Sequence, residues 1–510
     1  MREESHTCNL ETICIEGILW ERGSGEGMRW LEQVYRRELI QWLEMIHSAV
    51  WGPWTLILFL GTGLYFTLRS GCFQIRGFRT WWAKTAGGWQ RQDENEAFHK
   101  ITQFQSACTA LAATIGTGNI VGVATALTAG GPGALFWMWI SAGIGMMTAY
   151  AETWLGIRYR YCREDGSWMC GPMVYMDRGI GCTLLGKIYA ALIVLVSLGM
   201  GSMVQANSLS EAVRSWVSPM IDNLGMIHMG ERESVGLIDV RFAIGCMLVI
   251  VIGYILIGGI HRITRVTERL IPVSAGIYLL FSLAVILSCC QQLPRIFIMI
   301  FQDAWRPAAA GGGLAGFLLS SSVRFGLSRG VFSNEAGLGS LAILHGSAEK
   351  TTSEEQGMWA MFEVFFDTIV FCTMTALVIL CVTNREGAPL GYDGAELTAW
   401  CFSQRLGGMG KAFVAGSLVV FAFATIIAWY YLGEQAVEYL TGEKIPRGGN
   451  LGRGKRNYYL FLYLAAVFFG CIGRVDVIWL VSDIWNGLLA FPNLLALWML
   501  AGKVKFKEKY

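Results

Sequence analysis

The stretch Thr114-Ile115-Gly116-Thr117-Gly118-Asn119-Ile120-Val121-Gly122 decides the fold of this chain. It lies inside an apolar segment, 103–127, that is long enough to cross a bilayer as a helix. Three glycines and two threonines in this stretch form helix poorly, so the sequence predicts a break here. Lipid cannot satisfy the freed backbone groups, and irregular backbone at membrane depth must therefore face protein or a polar cavity.

A break at this point would present two helix ends to one cavity. The half-helix after the break offers free N–H groups and a positive dipole, which favour a carboxylate. The half-helix before it ends in free carbonyls, which suit a small cation. Glycine at a tight helix crossing is the alternative, and it stays open for Gly122. For Gly116 to Asn119 we favour a binding site, because packing glycines need no adjacent Thr and Asn.

Composition indicates a protein of the lipid bilayer. Of 510 residues, 54% are hydrophobic and 15% are charged, and the mean hydropathy is +0.45, whereas soluble proteins carry about 25% charged residues. The sequence predicts an all-α polytopic membrane protein. No basic patch argues for nucleic acid. The 14 scattered cysteines include no Cys-x-x-Cys pair, which argues against zinc and disulfides. No nucleophile–base set or phosphate loop indicates an enzyme or an ATP-driven pump.

Eleven apolar segments have the length of a membrane span. They are 48–68, 103–127, 132–157, 187–207, 241–259, 271–290, 311–341, 357–383, 411–436, 458–473 and 475–500. We expect 48–502 to form one transmembrane domain. The polar extension 1–47 is expected to be partly disordered or amphipathic, with Met28 as an alternative start, and 503–510 is a basic tail.

Lys and Arg are concentrated in alternate loops. The loops 69–102 and 158–186 and the tail 503–510 are basic, and the intervening loops are poor in Lys and Arg. The positive-inside rule predicts that these basic segments are cytoplasmic and that the N-terminus lies outside. Single-cysteine variants should therefore resist an impermeant thiol reagent, added outside, at 69–102 and at the C-terminus, and react with it at residue 1. Labelling of the C-terminus from outside would contradict this topology.

The seventh span is the second anomaly. It begins with Gly311-Gly312-Gly313 and continues through a polar stretch, Ser320 to Ser340, that is unusual for a lipid-facing helix. Gly-interrupted spans at corresponding positions of two halves indicate inverted repeats. The sequence therefore predicts two repeats of five spans, 103–290 and 311–500, with 48–68 as an extra N-terminal helix.

Ionisable residues at membrane depth are usually functional. Arg324, Arg329 and Glu335 lie in the seventh span. Asp367 lies in the eighth, four residues after Glu363 and on the same helix face. We expect these residues to form either a gating network or a structural ion network, and the sequence leaves both open.

Three further residues are candidates for a site beside the break. Gln205 in the fourth span offers an uncharged amide to a bound molecule or to a neighbouring helix. Thr425 in the ninth span offers a hydroxyl that could join carbonyls of the second span around sodium, although a lone Thr usually bonds to its own helix. Trp429, one turn later, is either a pocket wall or a packing residue.

At these residues the chain resembles the alanine or glycine:cation symporter family, the sodium:alanine symporters. The resemblance covers about 51–500 and rests on specific motifs. They are Ala112–Ala126, Gly171–Met173, Val204–Ser208, Arg329–Ser340, Phe366–Val370 and Asn486–Asn493.

The resemblance implies the leucine-transporter fold, with five-plus-five inverted repeats and one added helix, in the cell membrane. It implies sodium-driven uptake of alanine, glycine or a similar small neutral amino acid by alternating access. The family motifs place the amino acid at Thr117, Gly118, Asn119, Gln205 and Trp429. They place sodium, the coupling ion, at Gly116 and Thr425.

Six positions depart from the family pattern, and they bear on the substrate and the sodium site rather than on the fold. They are Cys170, Ser202, Leu341, Ala342, Tyr430 and Leu432. The alternative function is proton-coupled transport, or transport of another amino acid such as glutamine or serine, on the same fold. A channel or sensor is less favoured, because a channel filter needs a symmetric ring and the two broken segments differ in sequence.

Overall fold

Apolar helices make up nearly all of the chain that the structure describes. The computed structural model describes residues 25–88, 100–163, 166–223, 233–305, 321–387, 389–442, 450–473 and 476–506. Residues 1–49 form one unit and residues 50–510 form another. In the first unit a helix begins at Gly25, and the expected amphipathic character of the N-terminal extension stays a prediction. The part expected to be disordered lies mostly outside the described residues.

The helices are numbered in chain order. Up to residue 304 they are α1 (Gly25–Val50), α2 (Pro53–Arg69), α3 (Phe73–Arg76), α4 (Phe78–Lys84), α5 (Gln103–Thr114), α6 (Val123–Gly130), α7 (Gly133–Tyr159), α8 (Pro172–Val174), α9 (Thr183–Leu198), α10 (Gln205–Asn223), α11 (Glu233–Ile257), α12 (Gly259–Ser288) and α13 (Leu293–Ala304). Beyond residue 320 they are α14 (Ser321–Asn334), α15 (Ser340–His345), α16 (Ser353–Val364), α17 (Thr373–Glu386), α18 (Gly394–Leu406), α19 (Gly408–Thr441), α20 (Asn450–Ile472) and α21 (Asp476–Leu500). A short hairpin pairs β1 (Tyr161–Cys162) with β2 (Trp168–Met169) in antiparallel register.

Eight helical stretches within the described residues are long and apolar enough to cross a membrane. They are Glu38–Arg69, Gly133–Tyr159, Thr183–Val217, Val240–Ile257, Gly259–Ser288, Ser353–Glu386, Gly408–Thr441 and Val477–Lys503. A bent pair, α5 and its continuation Gly118–Gly130, makes a ninth. The predicted tenth span coincides with a shorter apolar helix, Arg456–Ile472. These helices confirm an all-α polytopic membrane protein, whereas the count of eleven and the inverted repeat stay predictions.

The second span breaks where its glycines predict. Helix α5 ends at Thr114, and the C-cap residue Ile115, with a φ of −74° and a ψ of 93°, is extended. The chain resumes as a π-helical segment, Gly118–Gly122, and then as α6. The two halves are bent by 53°. The propensity argument is therefore confirmed at this position.

The seventh span is also interrupted, between α14 and α15. Glu335, Gly337 and Gly339 have positive φ values of 55°, 101° and 84°, a backbone region that favours glycine. Asn493 Nδ2 donates to the Gly337 carbonyl at 2.9 Å, and the Tyr189 hydroxyl donates to the Leu338 carbonyl at 2.8 Å. Helices from other parts of the chain thus satisfy the backbone of this break, as non-helical backbone at membrane depth requires. The start of the predicted span, Gly311-Gly312-Gly313, lies outside the described residues.

In the part of the chain that the structure describes, four helical stretches contain π-helical turns, which the sequence pattern did not predict. They are Gly118–Gly122, Tyr175–Ile180, Gly199–Val204 and Phe365–Cys372. A π turn inserts an extra residue into a helix and is frequent at functional sites. Because one residue advances a helix by about 100°, each π turn changes the face that the following side chains occupy.

The segment after α21 packs against the domain, which the sequence analysis did not anticipate for a basic tail. Val504 is 2% exposed. The Tyr150 hydroxyl donates to the Lys505 carbonyl at 3.1 Å, and the Phe506 ring stacks on Tyr150 with 5.4 Å between ring centroids. The described part of the tail, up to Phe506, is therefore part of the packed structure.

Candidate functional site

Asn119 joins the two broken spans. Its side-chain Oδ1 accepts the Gly116 N–H at 3.0 Å and so caps the first backbone group after the break. Its Nδ2 donates to Asp367 Oδ1 at 2.6 Å and to Ser333 Oγ at 3.1 Å. Since Ser333 lies in the last turn of α14, one amide fixes the second span against both the seventh and the eighth.

Asp367 is the acceptor at which these contacts meet. Besides Asn119, its carboxylate accepts the hydroxyl of Ser333 at 2.6 Å and that of Thr368 at 2.9 Å. The side chain is fully buried and lies in the π-helical segment Phe365–Cys372. A buried carboxylate is tolerable only when it is hydrogen-bonded in this way. The geometry gives Asp367 a positioning role, because it ties Asn119, beside the first break, to Ser333, in the last turn of α14 before the second.

The side-chain oxygens of Thr425 and Gln205 lie close to Gly116. Thr425 Oγ1 lies 3.0 Å from the Ala112 carbonyl, which belongs to the last turn of α5, and 3.0 Å from the Phe421 carbonyl of its own helix. A Cβ on Gly116 would lie 2.9 Å from Thr425 Oγ1, so only glycine allows this approach. The structure thus brings together Gly116 and Thr425, the two residues assigned to sodium. The Thr425 hydroxyl and the Ala112 carbonyl are oxygen atoms, which a hard cation such as sodium prefers as ligands.

Gln205 reaches the same break from the fourth span. Thr117 Oγ1 donates to Gln205 Oε1 at 3.3 Å, and both side chains are buried. Gln205 follows directly on the π-helical segment Gly199–Val204, which orients it toward the second span. Gln205 and Thr425 therefore approach Gly116 from two other spans, the fourth and the ninth.

The space beside Gly118 is less crowded. A Cβ at this position would lie 3.5 Å from the Phe332 ring and 3.9 Å from Ser333 Cα, which is ordinary van der Waals contact. Gly118 thus faces Phe332 and Ser333 at the end of α14, in the other broken span.

Trp429 lies one turn after Thr425 and is completely buried. It packs against Gly201, where a Cβ would lie 2.5 Å from Trp429 Cβ. The Tyr463 hydroxyl, which donates to the Ile426 carbonyl at 2.7 Å, supports the same turn of α19. The close contact with Gly201 and the support of Tyr463 therefore hold this turn of α19 in place.

The structure separates the four candidate network residues. Arg324 stacks over Phe325 at 5.0 Å, and Arg329 stacks over Phe332 at 5.4 Å. Within the described ranges, neither forms an ion pair with the two carboxylates of the set. Glu335 instead accepts the Ser340 hydroxyl at 2.5 Å across the second break. Of the four, Asp367 alone joins the Asn119 centre.

Sequence reasoning missed Ser333, Thr114 and His345 as members of this region. Ser333 lies within the quoted motif Arg329–Ser340, but a serine there gives no signal of its role. Thr114 Oγ1 donates to Glu363 Oε1 at 3.1 Å, and Glu363 also contacts His345. The position of Glu363 four residues before Asp367 was the available signal, and both carboxylates do face the second span.

The residues that depart from the family pattern are accommodated locally. Ser202 Oγ donates to the Leu198 carbonyl at 2.5 Å within its own helix. Cys170 Sγ donates to the Ile343 carbonyl at 3.2 Å, and the Tyr430 hydroxyl donates to Glu434 Oε1 at 3.2 Å. Leu341, Ala342 and Leu432 are fully buried. None of these contacts reaches Asn119 or Gly116.

The chain matches one protein family over nearly its whole length. The model of the sodium:alanine symporter family matches residues 36–510. The sodium/alanine symporter AgcS of Methanococcus maripaludis is 37% identical over 480 residues, which are 92% of this chain and 97% of that protein. The probable sodium/glutamine symporter GlnT of Bacillus subtilis is 32% identical over 90% of this chain and 88% of its own. The putative sodium/proton-dependent alanine carrier protein YrbD of Bacillus subtilis is 30% identical over 89% of each chain. A multi-pass membrane protein built around this broken second span, and matched over nearly its whole length, belongs to the sodium:alanine symporter family.

Proposed function

We propose that this protein imports alanine or glycine together with sodium across the cell membrane. The observation that supports the proposal best is the broken second span, with Thr425 and Gln205 converging on Gly116 from two other spans. Secondary transporters bind their substrate and ion at such helix breaks. The named relatives include one sodium/alanine symporter, which favours this substrate and this ion.

The two charges of an amino acid need fixed partners once water is removed. We assign the carboxylate to the N–H groups of Thr117 and Gly118, at the start of the helical segment after the break, because helix starts favour anions. The ammonium is assigned to the carbonyls at the end of α5 and to Gln205 Oε1. Asn119, whose amide is engaged with Asp367 and Ser333, shapes the site and completes its wall. Trp429 bounds the space for the side chain.

Alternating access follows from the same contacts. We propose that the two broken spans move together, since Asn119 and Asp367 tie them to each other, while α19 and α10 carry Thr425 and Gln205. The orientation inferred from the basic loops, with a cytoplasmic C-terminus, makes this movement an import cycle. Arg324, Arg329 and Glu335 are proposed as gate residues on this moving part.

Uptake measurements test the substrate assignment. Purified protein in liposomes should accumulate labelled alanine when sodium is imposed outside, and should not do so with potassium alone. Alanine and glycine should compete better than valine and leucine, because a larger side chain must displace Trp429 at an overpacking cost of about 1–3 kcal/mol, roughly tenfold or more in affinity. Charged amino acids should not compete, since no second counter-charge is placed in the pocket. Leucine or glutamine competing as well as alanine would overturn the assignment.

A Thr425→Val variant tests the ion assignment. Valine nearly keeps the shape of threonine but removes the hydroxyl beside the Ala112 carbonyl. We expect the sodium concentration for half-maximal alanine uptake to rise about tenfold or more, because one oxygen ligand is lost, which corresponds to about 1.4 kcal/mol. A Thr383→Val variant, whose hydroxyl bonds only the Ile379 carbonyl of its own helix, serves as the control. Unchanged sodium dependence in a well-expressed Thr425→Val protein would remove Thr425 from the site.

A further inference from the structure

A buried histidine and a buried carboxylate adjoin the broken second span. His345 Nε2 lies 2.8 Å from Glu363 Oε2, and both side chains are fully buried. The other ring nitrogen, Nδ1, lies 2.8 Å from Gln356 Nε2. The second carboxylate oxygen of Glu363 accepts the hydroxyl of Thr114, the last residue of α5. Every polar atom of the His345 ring and the Glu363 carboxylate thus has a partner.

These contacts suit two protonation states of the pair. With the Gln356 amide nitrogen facing Nδ1, the His345 ring is neutral and donates its Nε2 hydrogen to an ionised Glu363. After one proton is added, Glu363 can become a neutral acid. Alternatively, the ring can become an imidazolium, if the Gln356 amide rotates to present its oxygen to the new N–H. Thr351 Oγ1, 3.3 Å from Gln356 Oε1, can exchange with either amide atom because a hydroxyl both donates and accepts.

Other ionisable groups lie around the pair. They are the carboxyl groups of Glu335 and Asp367, the neutral thiol of Cys108 in α5, and the guanidinium of Arg160 at the end of α7. Arg160 donates to the carbonyls of Gly346 and Ala348, directly after His345.

We propose that His345 and Glu363 form a proton-binding site whose occupancy competes with sodium at the adjacent end of α5. This inference rests on the sodium coupling proposed above. The bound proton makes one new O–H or N–H bond, and the net charge of the pair changes from −1 to 0. Thr114 transmits the change, because its hydroxyl contacts Glu363 and it lies two residues after Ala112, whose carbonyl contacts Thr425.

The sign of the coupling follows from charge. The unprotonated pair carries a negative charge near the sodium site and attracts the cation, whereas the protonated pair does not. Half-saturating sodium should therefore rise as pH falls. By thermodynamic reciprocity, sodium binding must expel the proton. A coupling of the usual size would change the sodium affinity about fivefold or more between the two states.

Proton release gives a direct measurement. Sodium chloride is added to purified wild-type protein in weakly buffered detergent solution containing a pH indicator dye, with potassium chloride as the blank. We expect sodium to release protons, up to about one per protein, within part of the range from about pH 5 to 9. Alanine binding in the presence of sodium is measured on the same sample, and it should show the rise of half-saturating sodium at low pH.

Variants at the pair distinguish a proton site from a structural network. Glu363→Gln and His345→Gln should each reduce the sodium-linked proton release and flatten the pH dependence of half-saturating sodium. The matched controls are Glu396→Gln and His261→Gln, both at exposed positions, and both should behave as wild type. If one pair variant does not fold, the other and the wild-type release still decide the matter.

The outcomes separate the two proposals. Wild-type protein that binds sodium and alanine but releases no proton at any pH would overturn the proton site and leave the symport function intact. Release that persists in both pair variants would also overturn it. Wild-type protein that binds alanine without any sodium dependence would overturn the proposed function itself, and the proton site with it.

Discussion

The Gly118→Ala substitution is expected to lower alanine uptake strongly and to leave the fold intact. The added methyl group would occupy the space beside the Gly118 N–H, where we place the substrate carboxylate. Forcing an atom into a filled site costs about 1–3 kcal/mol, so uptake at low alanine concentration should fall about 5- to 100-fold. The folded protein should tolerate the change, because the new Cβ meets only ordinary contacts, 3.5 Å from Phe332 and 3.9 Å from Ser333 Cα.

The experiment compares uptake with the amount and thermal stability of the purified variant. Gly416→Ala is a suitable control, since a Cβ at this position in α19 meets no atom within 4 Å. Half-saturating sodium, measured by sodium-dependent stabilisation, should change little in Gly118→Ala, because Thr425 contacts the opposite side of the break. Alanine transport at the wild-type rate would mean that the carboxylate binds elsewhere.

The Asp367→Asn substitution is expected to cause the second-largest loss of alanine uptake. Three donors, from Asn119, Ser333 and Thr368, converge on the Asp367 carboxylate. An amide turns an NH₂ group toward at least one of them and leaves that donor buried without an acceptor, at a cost of about 1–3 kcal/mol. Both breaks lose their common anchor, so uptake should fall tenfold or more. The half-saturating concentrations of alanine and of sodium should both rise.

A reciprocal exchange tests whether the Asn119–Asp367 contact itself is responsible. Combining Asp367→Asn with Asn119→Asp restores one carboxylate and one amide, and Ser333 can bond to both in either arrangement. Uptake by the double variant should exceed that of either single variant, which is the signature of direct coupling. Asp177→Asn, at a surface position where the carboxylate bonds Thr183, is the control. Wild-type uptake by Asp367→Asn alone would rule out the positioning role.

Local sequence was sufficient to predict the break in the second span. Helix propensity is a property of the local residues. Gly116 and Gly118 inside an apolar segment therefore predict a break in the helix, whatever that segment packs against. Hydropathy likewise fixes which segments can enter the bilayer. Proximity of Gly116 and Thr425, which the structure shows, was inferred from family motifs, because no local pattern relates residues of the second and ninth spans.

The partners of the polar side chains were decided by tertiary structure. The sequence alone predicts Asn119 as a substrate ligand beside the break. In the structure its amide instead hydrogen-bonds to Asp367 and Ser333, more than 200 positions away. Arg329 and Glu335 are close in sequence, yet they point to a phenylalanine ring and a serine hydroxyl.

The sequence by itself determined a helical membrane protein with a broken second span, because backbone propensity and apolar length act locally. Only the tertiary structure decided which polar groups meet at that break. A buried polar group needs a partner, and helix packing across the bundle supplies it. π turns, such as those before Gln205 and around Asp367, rotate whole helix faces in ways that a 3.6-residue period does not reveal.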